Sequence, residues 1–415
     1  PCTSDLTGNG GQTSISPPVK ILGEGESARV LASGIDTLHL SIYGRWDRTE
    51  FLSELGTLKS ASDVSGVDRV LDVGERAGEC RWCFGVKSYG RKGYEWLRDS
   101  GVYLWSIGSW ETVQSRPNVF AEIRSETLWR IGPAAAVDRL LSLLGVVGLQ
   151  AVSVKVSRVD LCSDVLIREE IWGDDLQALA VTRAKSWTPH YQYGRLTGVS
   201  IGKGNVSARL YDKPYEIKTK SHKTWMYTVW GMEEVPEGHM IIRVEYQLRR
   251  EGIKTLGVDT WADLQRLAES VWAYCTEQWL SFADNPDRQH KYRQSVSWWE
   301  VVQEQFMGVV GAYPAIRAEA FAATRRQLLA HVRGYLSSLV ALECEMEGRE
   351  VPEYVSMRDL CLRLAAALDE EEIGKRAFTK DVWGKIQKYQ KKKWEYEAAV
   401  AERKRLERGQ EGRME

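Results

Sequence analysis

The chain has 415 residues, with 56 Lys and Arg against 57 Asp and Glu and a formal net charge of −1. That length allows two or three domains and a sizeable core, while the balanced charge excludes a globally basic nucleic-acid binder and requires any such surface to be local. Seven Cys, an odd count without a signal-peptide pattern, point to a reduced, cytoplasmic protein. No apolar run reaches membrane-spanning length. Cys80 and Cys83 form one C-x-x-C, but no second pair completes a zinc site, so two ordinary thiols are expected. Seventeen Trp and seventeen Tyr are either core or platforms on which bases stack.

Residues 1 to about 30 are rich in Gly, Ser, Thr and Pro and read as a flexible arm. The first strand is Ile35 to Ile42, and Arg48 to Ser60 has Phe51, Leu52, Leu55 and Leu58 at helical spacing. Trp82 to Val86, Tyr103 to Ile107 and Val119 to Arg124 are short strands bounded by Gly, Pro or Ser. Between the first two lies KSYGRKGYEWLR, a basic segment with interleaved aromatics. It suits phosphate contact with base stacking, or equally a solvated hairpin loop. Pro133 to Leu144 is a helix with Pro at its first position and an apolar stripe of Val137, Leu140, Leu141 and Leu144.

Val152 to Val165 is a strand pair or one long strand, Asp174 to Ala184 a second helix, Val206 to Tyr211 a strand ended by Pro214, and Ile241 to Arg249 the last clear strand. Leu264 to Phe282 and Trp298 to Gln305 are helical. Arg317 to Glu347 has helical periodicity, and Lys380 to Glu415 is a charged helical or coiled-coil tail. The fold class is α+β: a largely antiparallel sheet with helices packed on one face, then a helical C-terminal region. The expected division is an arm over 1–30, a catalytic domain over 31–310 and a helical, charged region over 311–415.

Three strands carry the chemistry. In IGKGNVSARLYDKPYEI, alternation places Arg209, Tyr211 and Lys213 on one face. Cations on either side of a tyrosine favour a phenolate and attract a phosphate. In RVDLCSDV the same face gathers Arg158, Asp160, Cys162 and Asp164, and in RVEYQLR it gathers Arg243, Glu245, Gln247 and Arg249. If these strands are neighbours, their carboxylates repel unless a cation joins them. Oxygen ligands without His or Cys indicate Mg²⁺ or Mn²⁺. The alternative is a solvent-facing sheet laced with Asp/Glu–Arg pairs. A tyrosine, a divalent cation and basic groups together suit attack by a phenolate on a phosphodiester to give a phosphotyrosine link.

RVDLCSDV, GKGNVSARLYDKPYE and RVEYQLRR, in this order and closed by Trp298-Trp299, resemble the replication initiation factor family. That family contains plasmid rolling-circle replication initiators of the Rep-trans type and related relaxases of Gram-positive conjugative elements. The resemblance covers roughly Ile35 to Phe306. It implies a DNA-nicking and rejoining enzyme with Tyr211 as the nicking tyrosine, flanked by Arg209 and Lys213. Asp160 and Glu245 match metal-side carboxylates, with Asp164 and Asp36 the looser matches. Asp36 shares its strand face with Leu38, Leu40 and Ile42, which favours a core-edge role. The chain lacks the His-x-His pair of better-known rolling-circle enzymes, and its tail after about Val310 has no counterpart.

DNA contact is expected from Arg91, Lys92, Arg98, Lys203, Arg158, Arg209 and Arg243. The implied partners are single-stranded or hairpin origin DNA, a host helicase and polymerase, and a second copy in a homodimer, with no membrane. A non-catalytic DNA-binding protein on the same fold, and a metal-dependent nuclease without a covalent intermediate, are the competing expectations.

Overall fold

The computed structural model describes residues 22, 23, 25–65, 69–72, 83–91, 93–289 and 292–306, with 332, 340, 344 and 356. The expectations for Arg317 to Glu347 and Lys380 to Glu415, and for Cys80 and Lys92, therefore lie wholly or almost wholly outside the described residues.

The strands are β1 (Ala28–Trp46), β2 (Arg69–Asp72), β3 (Cys83–Val86), β4 (Trp96–Asp99), β5 (Tyr103–Ile107), β6 (Val119–Ile123), β7 (Leu149–Arg168), β8 (Ala180–Thr182), β9 (Trp187–Gln192), β10 (Arg195–Ile201), β11 (Val206–Asp212), β12 (His239–Arg249) and β13 (Leu280–Phe282). Eleven form one sheet in the order β2-β3-β4-β5-β6-β1-β7-β12-β11-β10-β9, and β13 pairs with β8 apart from it. Its ladders are antiparallel. The protein is thus an α+β fold built on a large antiparallel sheet. Its two long central strands, β1 and β7, run 19 and 20 residues. Both outreach the sequence reading, and β1 takes in the last residues assigned to the arm.

The helices are α1 (Glu50–Ser65), α2 (Ser125–Ile131), α3 (Pro133–Val146), α4 (Leu176–Leu179), α5 (Lys213–Glu216), α6 (Met226–Trp230), α7 (Arg250–Thr255), α8 (Trp261–Ala273) and α9 (Ser297–Glu304). They lie on both faces of the sheet, not on one. The larger core joins Leu38, Leu40, Val159, Leu161, Val244, Tyr246 and Leu248 of the sheet to Phe51 and Leu55 of α1, Val137 and Leu140 of α3, Leu264 and Trp272 of α8, and Trp298 and Trp299 of α9. The opposite face holds a smaller core in which Ala32, Cys162, Leu166 and Ile241 meet Trp129 of α2, Ile217, and Met226, Val229 and Trp230 of α6. That face also carries ionisable side chains, some of them buried beneath the helices, as Asp164 is under Trp230, which is why its sequence reads as ionisable.

Asp174 to Ala184 is the clearest departure. Only Leu176–Leu179 is helical, and Ala180–Thr182 extends to pair with β13. Four residues of apolar spacing were too few to outweigh the pairing that β13 supplies from about a hundred residues away. The helix expected over Leu264 to Phe282 also ends early: α8 passes into a π-helical turn at Tyr274–Trp279 and then into β13. Thr260 and Asp263 close its N-terminus with a reciprocal capping box. The described tryptophans are mostly core, as in the edge-to-face pairs of Tyr246 with Trp272 and Trp279. Among the described residues no helix is long and apolar enough to cross a membrane.

Candidate active site

The three chemistry-bearing strands are adjacent. β7 pairs with β12 and β12 with β11, with Asp164 opposite Arg243, Cys162 opposite Glu245, Arg209 opposite Glu245 and Tyr211 opposite Arg243. Their polar sides share one face, at the border between its open part and the part covered by α5 and α6. Gly198 of β10 lies opposite Tyr211. A Cβ at Gly198 would meet the Tyr211 Cβ at 2.9 Å and the Leu210 carbonyl oxygen at 3.0 Å, so the glycine makes room for the tyrosine.

The Tyr211 hydroxyl donates to Glu245 Oε2 at 2.8 Å. Arg209 donates to the other Glu245 oxygen and lies 3.9 Å from Asp160 Oδ2. Arg158 grips Asp160 with two hydrogen bonds of 2.8 and 2.5 Å. Asp160 and Glu245 are buried, whereas Arg209 is half exposed. Asp160 thus faces away from the main core as expected, but it is not solvent-facing. The Lys213 ammonium sits 5.4 Å from the centre of the Tyr211 ring. Lys213 does not continue the strand: it opens α5, where Asp212 accepts from the Tyr215 backbone N–H and Pro214 occupies the first turn.

The expected phenolate is not favoured by these surroundings. Burial, with the Glu245 charge adding to it and Arg243 opposing, pushes the Tyr211 hydroxyl well above its ordinary range. Desolvation and the carboxylate outweigh the cations, so the phenol keeps its proton and points it at an acceptor. Burial also pushes the Asp160 carboxyl up to about 6, reinforced by Glu245 and opposed by Arg158 and Arg209. Lys213 is pulled down by burial and by Arg243, against Asp36 and Glu216.

Behind the tyrosine lies a second polar cluster. Arg243 is fully buried and donates to Asp164 at 2.6 and 2.7 Å and to Asp36 at 2.7 Å. Trp230 Nε1 also donates to Asp164, at 2.8 Å. Asp36 accepts from Ser125 at 2.8 Å and lies 3.4 Å from Lys223 Nζ. Burial alone would raise Asp36, but Lys223, Arg243 and Lys213 outweigh it and hold the carboxyl well below the carboxylate range.

Asp36 stands on this face, not with Leu38, Leu40 and Ile42. Ile35 pairs with Leu161 but Thr37 with Asp160, so Asp36 is the extra residue of a β-bulge that re-phases the alternation.

Several expected DNA contacts are placed elsewhere. Arg243 is a buried ion-pair partner and unavailable to DNA. Arg98 is also fully buried, stacked among Phe51, Phe84 and Trp105 at 4.6 to 5.6 Å, with no hydrogen-bond partner among the described residues. Its strand alternation puts it on the core side, and burial pulls its pKa down to about 9. Arg91 is half exposed over Phe120 and paired with Glu122 in the turn between β3 and β4. Lys203 is exposed in the turn between β10 and β11, where Gly202 and Gly204 adopt positive φ. Sequence reasoning missed Lys223, Ser125 and Trp230, although the basic run KTKSHK after the tyrosine strand was visible.

The carboxylates divide in their fitness for a cation. Asp164 and Asp36 are saturated by Arg243, Trp230, Ser125 and Lys223. Among the described residues no three His, Cys, Asp or Glu side chains converge as a metal site. Asp160 and Glu245 are engaged as well, Asp160 by Arg158 and Glu245 by Tyr211 and Arg209, and they form a buried two-carboxylate set beside the half-exposed Arg209. That set does not make an all-protein cage, but it fits the way Mg²⁺ is held by one or two carboxylates together with substrate phosphate.

No family model matches the chain, and no curated protein matches it. Among solved structures it is similar to a rolling circle replication initiator protein from Geobacillus stearothermophilus. The identity is 14%, the match covers 69% of this chain and 98% of that one, and the TM-score is 0.39.

Proposed function

We propose that this protein nicks and rejoins one strand of DNA to initiate rolling-circle replication or conjugative transfer of a mobile element, such as a plasmid, phage or integrated element, with Tyr211 as nucleophile. The observation supporting this reading is the contact of the Tyr211 hydroxyl with Glu245 Oε2, 2.8 Å away, inside a ring of Arg209, Asp160 and Lys213. A phenol held protonated against a carboxylate is poised for general-base activation. Glu245 takes the proton as the Tyr211 oxygen bonds to phosphorus. The bond from phosphorus to the 3′ oxygen breaks, leaving a 5′-phosphotyrosine link and a 3′ end that takes a proton from water. Arg209, half exposed and facing the open sheet, offsets charge on the phosphoryl oxygens. Arg243, directly across the ladder from Tyr211, keeps its strand pair rigid through Asp164 and Asp36. Asp160 and Glu245 are the residues that would hold Mg²⁺ or Mn²⁺, whose charge would polarise the phosphodiester.

The test is incubation with single-stranded origin DNA and Mg²⁺, read on a denaturing gel. Wild-type protein gives a covalent adduct. Tyr211→Phe folds and binds DNA but gives none, and Tyr215→Phe and Tyr246→Phe retain it. Cleavage without any adduct identifies a metal-dependent nuclease instead, and binding without cleavage a DNA-binding protein. A nucleotide found by mass spectrometry on another residue removes Tyr211 from the role.

A further inference from the structure

The segment leaving the tyrosine strand carries charge that the site does not use. Residues 213–223, KPYEIKTKSHK, hold four lysines and a histidine against one glutamate. Two of the lysines are engaged internally: Lys213 with Glu216 at 2.6 Å, and Lys223 with Ser125 at 3.0 Å and Asp36 at 3.4 Å. Lys218 and Lys220 are exposed, and neither makes an ion pair among the described residues. In this they differ from Arg91, Arg158 and Arg209, each of which lies against a carboxylate.

The turn that presents them is firmly held. Glu216 accepts from Lys213 and from Ser221 Oγ at 3.0 Å, and Thr219 Oγ1 donates to the Tyr215 carbonyl at 2.8 Å. Ile217 is buried against the smaller core. His222 adopts the left-handed conformation, φ 54°, and its N–H returns to the Ile217 carbonyl at 2.9 Å. At the far end Lys223 is tied to Asp36, which also holds Arg243. A rigid turn carrying two unpaired ammonium groups, seven and nine residues beyond Tyr211 and anchored to the cluster behind it, has the chemistry of a phosphate clamp.

We propose that Lys218 and Lys220 grip the phosphodiester backbone of the single strand that Tyr211 attacks, an inference that rests on the reading of Tyr211 as nucleophile. Each phosphate neutralised on a single strand contributes about 0.7 to the slope of log affinity against log salt. The full chain carrying Lys218→Gln with Lys220→Gln should therefore bind a fluorescein-labelled thymidine oligonucleotide with a slope about 1.4 shallower than wild type. Over a fourfold rise in salt, its affinity then falls about sevenfold less than that of wild type. Lys218→Arg with Lys220→Arg, which keeps both charges, should restore the slope. An unchanged slope in the glutamine variant overturns the clamp and leaves the nucleophile untouched. Absence of adduct from wild-type protein under full binding overturns the nucleophile instead, and the two failures are read in separate assays.

Discussion

Glu245 makes two contacts that strand alternation cannot tell apart, one to the Tyr211 hydroxyl and one to Arg209. The first makes it a proton acceptor and the second a charge partner. Glu245→Gln separates them, because the amide keeps the shape and one acceptor oxygen but loses the basicity. General-base contributions run to about 10²–10⁴-fold. Adduct formation by Glu245→Gln should therefore fall by at least about a hundredfold, while stability changes by about 1 kcal/mol because Arg209 is half exposed and water can serve it. A large loss of melting temperature with an unchanged rate would make Glu245 a structural partner only. Period-two alternation put Arg209 with Tyr211 on one face of its strand and gave Asp160 and Glu245 polar faces on theirs, but that the three strands are neighbours was a condition that only the sheet order supplies. Alternation did not show that Asp160 and Glu245 are buried, nor that burial would reverse the expected phenolate. Both depend on the side chains that the neighbouring strands bring over the carboxylates, Arg158, Arg209 and Tyr211, which no local pattern reports.

At the level of elements, the regular pieces were legible and the irregular ones were not. β5 has the bounds that its flanking turn residues indicate, and β11 and β12 agree to within two residues because their polar and apolar residues alternate. Asp36 was misplaced because it is itself the extra residue of a bulge on β1, which re-phases the alternation between Ile35 and Thr37. Arg98 was misplaced because a cation in an aromatic segment reads as surface, whereas here its guanidinium fills a gap between rings.

Gly198 shows what an element contributes to the site. Gly198→Ala puts a methyl group 2.9 Å from the Tyr211 Cβ, so β10 or the tyrosine must shift. Overpacking of this kind costs about 1–3 kcal/mol, and displacing a nucleophile by about 1 Å costs up to about a hundredfold in rate. Adduct formation, measured well below the unfolding transition, should therefore drop further than the loss of stability accounts for. Gly173→Ala, where nothing lies within 4 Å, should change neither. Equal rates in the two variants would mean that β10 does not position Tyr211.

The described residues are built on one eleven-stranded sheet, which holds polar groups between strands far apart in sequence. His39 of β1 is the plainest case. It lies opposite Arg158 of β7 and Glu122 of β6 and packs edge-on against Phe120. Burial, together with Arg158, Arg91 and Arg124, pulls its pKa down to about 4, although Glu122 acts the other way from 3.8 Å. The ring is therefore neutral in the folded protein, and the contact with Glu122 is not an ion pair at neutral pH. A histidine whose folded pKa lies below its unfolded value of about 6.5 binds fewer protons in the native state. Its contribution is complete above about pH 6.5 and is lost as pH falls towards 4, by an amount on the order of 3 kcal/mol. Asp160 acts in the opposite sense over part of this window, since its raised pKa makes the native state the better proton binder between the ordinary carboxylate range and about 6. A single stability curve for wild type therefore mixes the two, and the difference between wild type and His39→Gln isolates one of them. Urea unfolding at pH 7 and at pH 4.5 should show a gap between the two proteins that narrows or reverses at the lower pH, because glutamine has no proton to gain. A gap of constant size at both values would show that His39 stays charged or uncharged in both states alike, and that the sheet does not depress its pKa.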